Sequence, residues 1–580
     1  MVSGWILRGF AAVAVLAATV VPGMRAEATT LSPTPVVTPA FTTPAATTPA
    51  TTTSPTTSAV TPVDAGCPAR DTRVDAPYAI TGYWLVPRSD PCVTRRTVEA
   101  IHGVGGDTLI TFGPRLVPSR VDRAGRLLKE GAPDPDFTGC VENGKTCYQA
   151  AREAVPRIRR VYGYAANELF GDGLLRCPGL DRRIESGERV YYRLLLGRSC
   201  SRGPYDLVLI ATDGDGLGNL MAEAAAYGMK VFPGLPAAPQ DVKRPWLPDL
   251  THLGAVTALT ERVVTDYRGR YGSSAAFAGV YQSFELAVKS RPSVDPTIDL
   301  YQAQHAVVAA TLPGKKILVS PYFDARRDKG FPPERVGPGL SAIAATAHGA
   351  PMIVAVQDGR GTGKVPVYGR DEVDAKVDPR LVPMVGDVTN RKAYYGSTYD
   401  YLQAAARSRP PGVELWMNAE AFEPAPVAGE CGRADPLPLR GRTTKKRLDA
   451  QVMAAGAAVT KVISYGWDPF LTCRLNWMTP SLSDDLHGSW NAPLILGATR
   501  NATGIAITGR NLAGGTIKVQ YARAGSGMKT VTVAQGPDEA GTAWVPFTTP
   551  TDVDPRRPFL YITAVNGTGR PSTNAYVIPA

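Results

Sequence analysis

The sequence predicts an α/β chain: a (β/α)8 TIM barrel with a long disulfide-bearing insertion, followed by a small all-β immunoglobulin-like sandwich. Three observations carry that reading. Between Pro77 and Phe470, eight short β-branched or aromatic runs alternate with amphipathic helical stretches, the pattern of parallel strands joined by crossover helices. From about Asn491 the helical pattern stops, and short alternating strands with turn residues take over. With 580 residues, 44% of them hydrophobic, the chain can fill more than one core. An open doubly wound sheet is the runner-up, but the Gly-rich phosphate turn it needs after the first strand is absent.

In chain order, Arg8 precedes an apolar run from Gly9 to Val21 that is too short to cross a bilayer, and an A-x-A site ends at Ala28. This is a secretory signal peptide over residues 1–28, with an uncleaved anchor as the alternative. Residues 29–66 are Thr, Pro and Ala with almost no charge and cannot bury enough surface to fold, so they form an extended linker. The barrel domain occupies 67–490, with its insertion at about 115–215, and the sandwich occupies 491–580.

The barrel strands are read at Tyr78 to Val86, Asp107 to Gly113, Met229 to Leu235, Phe277 to Glu285, Lys316 to Phe323, Met352 to Asp358, Val413 to Glu420 and Lys461 to Asp468. A ninth good strand, Tyr205 to Gly214, is placed outside the barrel. It forms a hairpin with Arg189 to Gly197 in the insertion between the second and third barrel strands.

Eight cysteines (Cys67, Cys92, Cys140, Cys147, Cys177, Cys200, Cys431, Cys473) form an even set without C-x-x-C or a nearby histidine, which in an exported protein favours disulfides over zinc. Pairing of sequence neighbours is the simplest of roughly 105 connectivities. Four of them, Cys140 to Cys200, would brace the insertion. The net charge of +11 suits an anionic matrix such as an acidic wall polymer, or simply an Arg-rich secreted protein. No Lys/Arg run with interleaved aromatics marks a nucleic-acid site, and no membrane span is expected after signal cleavage.

Barrel enzymes place their chemistry at the C-terminal strand ends. There the fourth strand offers Glu285, the sixth Gln357 and Asp358, the seventh Glu420 and the eighth Asp468. Carboxylates on the fourth and seventh strands would face each other across the mouth, as needed to flank a glycosidic bond. Strand alternation puts Trp416, Asn418 and Glu420 on one face, and Tyr281 and Ser283 with Glu285. Aromatic faces stack on sugar C–H surfaces and amides bond hydroxyls, so this face is built for a carbohydrate. Trp84, Tyr322, Gln357 and Trp467 complete the expected lining. Each nomination has a plainer rival. Glu420 could be an arginine-paired rim carboxylate and Glu285 a surface residue. Asp358 could cap the "GRGTG" loop as an Asx-turn, or serve as the second catalytic group in place of Glu285.

The motifs "GVYQSFEL" (Gly279 to Leu286), "ILVSPYF" (Ile317 to Phe323), "AVQDGRG" (Ala355 to Gly361) and "LWMNAEAFE" (Leu415 to Glu423) occur in that order. On these motifs the stretch from Pro77 to Phe470, insertion excepted, resembles a bacterial domain-of-unknown-function family of secreted glycosidase-like barrels. That family is similar in turn to the glycosidase clan with an acid/base on strand four and a nucleophile on strand seven. The resemblance implies Glu285 as acid/base and Glu420 as nucleophile. One departure is Phe284, where the clan usually carries Asn.

Other chemistries lack their residues. The five histidines (His102, His252, His305, His348, His487) form no H-E-x-x-H or H-x-x-x-H pair, no G-x-S-x-G elbow occurs, and no P-loop is present. "TDGDGLGN" (Thr212 to Asn219) lacks the distal Glu of a calcium loop. The expectation is a secreted or wall-associated glycoside hydrolase acting on a polysaccharide or oligosaccharide, with no cofactor or metal. The alternative is a non-catalytic glycan-binding protein on the same barrel.

Overall fold

The computed structural model describes residues 66–292, 294–424, 440–474, 476, 478–534 and 541–580. The expected signal peptide, the linker up to residue 65 and Cys431 lie outside the described residues.

Eight parallel strands make one sheet. In chain order they are Ile80–Leu85, Thr108–Thr111, Lys230–Phe232, Gly279–Gln282, Lys316–Val319, Met352–Gln357, Val413–Ala419 and Lys461–Ser464, each inside its expected run. The spatial order is third, second, first, eighth, seventh, sixth, fifth, fourth. The two ends meet through parallel bridges at Val231 to Phe277 and Gly234 to Tyr281, with Tyr281 N–H donating to the Pro233 carbonyl at 2.9 Å. Alternation assigns the faces. Trp84, Phe232, Tyr281, Ile353, Trp416 and Ile463 fill the barrel interior, while Tyr83, Val231, Val280, Val354, Leu415 and Val462 point out beneath the helices. Helix starts follow local chemistry: Asp90 and Asp295 accept from the first free N–H groups of Pro91–Gly103 and Pro296–Thr311, each with proline in the first turn.

The insertion carries its own sheet. The strands Arg189–Leu196 and Tyr205–Thr212 pair antiparallel as a hairpin, and Tyr205–Thr212 also pairs parallel with Ile158–Ala166. Three cystines link sequence neighbours: Cys67 to Cys92, Cys140 to Cys147 and Cys177 to Cys200, with Cα separations of 5.2, 5.5 and 5.3 Å. Cys473 is also disulfide-bonded. The Cys177–Cys200 bridge spans 23 residues. Replacing both cysteines by serine is expected to cost about 3 kcal/mol of stability by the loop-entropy relation, read as a lower chemical-denaturation midpoint.

The C-terminal segment forms two antiparallel sheets, of three and four strands, sharing one apolar core that includes Ile505, Val545, Val519 and Ile562. It is tied to the barrel through Asp449, a buried residue of the helix Lys445–Ala455 that accepts from Thr573 Oγ1 (2.6 Å), Tyr78 OH (2.6 Å) and Lys445 Nζ (2.7 Å). Among the described residues no helix is long and apolar enough to cross a membrane.

Candidate active site

The seventh strand ends at Ala419, and Glu420 keeps the inward parity of Trp416 and Asn418. Glu420 is 3% exposed, and its carboxylate is gripped by the loop that follows the sixth strand. Thr362 N–H donates to Glu420 Oε2 at 2.6 Å, and the Thr362 hydroxyl donates to Oε1 at 3.4 Å. The spacing of glycines in "DGRGTGK" makes this grip possible. Gly359 and Gly363 take left-handed backbone with φ of 72° and 70°. A Cβ on Gly361 would lie 2.7 Å from both Glu420 Cβ and the Phe422 ring. Gly361→Ala is therefore expected to cost about 1–3 kcal/mol by overpacking, measured by denaturant unfolding, and to displace Glu420.

Glu285 lies three residues beyond the fourth strand and is half-buried. Its approach is pinned by Ser283, which accepts from Gly113 N–H (3.0 Å) and donates to the Leu235 carbonyl (2.9 Å). Phe284, at the departure from the clan pattern, is buried in the outer core, and its carbonyl accepts from Tyr301 OH at 2.5 Å. Burial raises the pKa of Glu285, and the negative charge of Glu420 adds to the rise. Lys364, a hydrogen bond with Gln357 and the Arg440 guanidinium act against it.

One ammonium serves both acids. Burial lowers the pKa of Lys364, while Glu420 and Glu285 both hold it up, and Lys364 Nζ sits 3.6 Å from the centroid of the Tyr322 ring. Tyr322 is pushed up to about 12 by burial, with Glu285 and Asp324 adding to it. Tyr465 completes the group. Burial raises its pKa, Glu285 and Glu420 raise it further, and its ring meets Phe112 at 5.6 Å and Phe422 at 5.9 Å. Glu285 and Glu420, from opposite sides of the barrel, thus act on the same neighbours.

Gln357 and Asn418 face inward and brace the floor. Gln357 Nε2 donates to the Ser320 carbonyl (2.8 Å), and Asn418 Nδ2 donates to Ser320 Oγ (3.0 Å). Five other nominated residues stand elsewhere. Asp358 shares the outward parity of Val354 and Val356, so its fully buried carboxyl points beneath the helix Lys445–Ala455, away from the cleft. There it accepts from Gln451 Nε2 (2.5 Å), Arg360 N–H (3.2 Å, the Asx-turn) and Glu420 N–H (3.2 Å). Burial, then Glu420, raises its pKa. It holds Glu420 from behind. Trp84, Tyr281 and Trp416 belong to the barrel interior. Trp84 meets Tyr281 edge-on at 5.6 Å, and Trp416 lies against Phe232 and Lys461, level with the start of the eighth strand. Trp467 is turned outward onto Tyr83 at 4.9 Å, because Gly466, at φ 67°, ends the strand alternation before it. Asp468, also an expected strand end, is exposed and accepts from Thr472 Oγ1.

Residues 206–474 match the family model described as Domain of unknown function (DUF4434), and residues 128–208 match Domain of unknown function (DUF8405). The first match runs across barrel strands three to eight; the second lies within the insertion. No curated protein matches the chain. Among solved structures it is similar to a glycoside hydrolase family 5 from Bacteroides vulgatus ATCC 8482, at 10% identity over 85% of this chain and 90% of that one, with a TM-score of 0.36. It is also similar to a modular endo-beta-1,4-mannanase from Cellulomonas fimi, at 10% identity over 76% and 91%, with a TM-score of 0.28. A third is the catalytic domain of the major endoglucanase from Xanthomonas campestris pv. campestris, at 14% identity over 47% and 73%, with a TM-score of 0.27.

Lys364, Arg440 and Tyr465 were absent from the sequence-derived candidates. Tyr465 was readable, since it shares the parity of inward Ile463. Lys364 and Arg440 sit on loops, where no periodicity marks them. Chemically, the site presents a carboxyl whose acidity is suppressed by burial beside a second carboxyl whose Oε2 accepts from a backbone N–H. Among the described residues no group of three His, Cys, Asp or Glu side chains is arranged to hold a metal ion.

Proposed function

We propose that this protein is an exported glycoside hydrolase of a cell-wall or extracellular polysaccharide, with Glu420 as nucleophile and Glu285 as general acid and then base. The observation that carries the reading is that Glu285 and Glu420 each act on Lys364 and Tyr465, and that burial, with the charge of Glu420, raises the pKa of Glu285. A protonated acid beside an orienting carboxylate is the pair that glycosidic cleavage requires. In the reaction Glu285 protonates the departing oxygen while Glu420, aimed by Thr362, attacks the anomeric carbon. Lys364 offsets the charge that then passes to Glu285. Water, deprotonated by Glu285, releases the sugar from Glu420. In this reading residues 1–28 are the export signal and 29–66 the linker. The two C-terminal sheets are an immunoglobulin-like sandwich over 491–580 that braces the barrel domain of 67–490.

The test is incubation of the mature protein with cell-wall and exopolysaccharide fractions, with binding to the same glycans on an array in parallel. New reducing ends support hydrolysis. Binding without them would instead assign the cleft to a silent glycan-binding protein, the reading favoured by the 3% exposure of Glu420.

A further inference from the structure

Beside the carboxylate pair lies a cavity of about 190 Å³, room for about six waters at ~30 Å³ each. One side is made by the second barrel strand's exit, at Phe112 and Gly113. The opposite wall is supplied by the insertion, through Ala165, Asn167 and Glu168, with Leu217 and Tyr267 completing it. The cavity adjoins the proposed chemistry: Gly113 N–H bonds Ser283, two residues before Glu285, and the Phe112 ring packs on Tyr465.

Glu168 is the anomaly. It is 4% exposed, its Oε1 accepts from Tyr267 OH at 3.1 Å, and its Oε2 is buried with no hydrogen-bond partner among the described residues. Leaving such an oxygen unsatisfied is costly, so the place of Glu168 in the lining of a cavity that also presents Thr111, Asn167 and Tyr267 points to a polar ligand. No Lys or Arg lines the cavity. The nearby Arg270 is already engaged by Asp215 (2.7 Å) and Asp266 (3.7 Å), so an anionic ligand would find no free cation among the described lining residues.

We propose that this cavity is a subsite for one uncharged sugar residue, seated against Phe112 and Leu217 with a hydroxyl hydrogen-bonded to the Glu168 carboxyl. The proposal rests on the reading of Glu285 and Glu420 as a hydrolytic pair, and it makes the insertion the wall that ends the cleft on this side. Burial pushes the Glu168 carboxyl up to about 8, so at neutral pH it holds a proton to donate. Glu168 is then a specificity residue, and Ala165, exposed on the cavity wall, is the position through which the space can be filled.

The experiment uses the mature chain carrying Glu420→Ala and records saturation-transfer NMR with methyl glycosides of glucose, galactose, mannose and arabinose. At least one should bind. Adding Ala165→Trp should abolish that binding, Glu168→Ala should weaken it about tenfold, and Glu168→Gln, whose amide can donate in place of the acid, should retain most of it. No binding by any glycoside, or binding that Ala165→Trp and Glu168→Ala leave unchanged, overturns the subsite. Failure of the hydrolytic reading would show separately, as wild-type protein that releases no reducing ends whatever it binds.

Discussion

Glu420→Ala is expected to lower kcat by at least about 10³-fold, roughly 4 kcal/mol of transition-state stabilisation, with the fold intact. The fold survives because the lost contacts are few. Among the described residues Thr362 donates both of the hydrogen bonds that the Glu420 carboxylate accepts, and removing the negative charge relieves Asp358 behind it, whose acidity Glu420 now suppresses. Glu285→Gln should cost about 10²–10⁴ in kcat, the usual worth of a positioned proton donor. It should also change the pH profile in one direction. Since burial raises the pKa of Glu285, the wild-type acid stays protonated further toward neutral pH, and activity declines as pH rises through that value. In Glu285→Gln the alkaline decline should vanish, because the group that titrates is gone. Full kcat in Glu420→Ala, or an unchanged alkaline limb in Glu285→Gln, would remove these two residues from the mechanism.

Much of the barrel was legible because it rests on two periodicities. Each observed barrel strand lies inside its expected run, and the Arg189–Leu196 and Tyr205–Thr212 hairpin lies outside the barrel as its position in the alternation required. The partner strand Ile158–Ala166 was not recognised, since Arg159, Arg160 and Gly163 dilute the β-branched pattern. At the site, parity carried Asn418, Glu420 and Gln357 inward. The same parity, applied to Val354 and Val356, turns Asp358 outward, so that misplacement came from weighing chemistry above alternation. The tryptophans misled for a different reason. A barrel interior needs bulky side chains as much as a sugar does, and Trp84, Trp416 and Tyr281 meet that need. Lys364, Arg440 and Glu168 are brought in by loops and by the insertion, where spatial neighbours are distant in sequence and no pattern reports them.

The inserted wall should also make stability depend on pH in a way that a single substitution removes. Glu168 titrates from a reference of 4.5 to about 8 in the folded protein, chiefly through burial, and Asp266, also mainly through burial, from 3.8 to about 6. Arg270 opposes both shifts, while Asp215 reinforces both; Asp266 adds to the rise of Glu168, and both acids raise Tyr271. The sign follows from proton counts. Above pH 4.5 the unfolded chain has lost the Glu168 proton while the folded chain keeps it, so stability is greatest below 4.5 and falls as pH rises toward 8. The full span corresponds to roughly 5 kcal/mol, as an upper value. Asp266 is half ionised in the folded protein at pH 6 and almost fully above pH 7, so between pH 6 and 8 Glu168 dominates the slope among these two acids, at about 1.4 kcal/mol per pH unit. Wild-type protein should therefore lose roughly 2–3 kcal/mol across that interval, read from denaturant unfolding at fixed ionic strength. Glu168→Gln, which keeps the shape and a hydrogen-bonding amide but cannot ionise, should give a nearly flat curve there and exceed wild type at pH 8. Parallel curves for the two proteins would mean that Glu168 does not hold its proton in the folded state, and the neutral donor in the cavity wall would be lost with it.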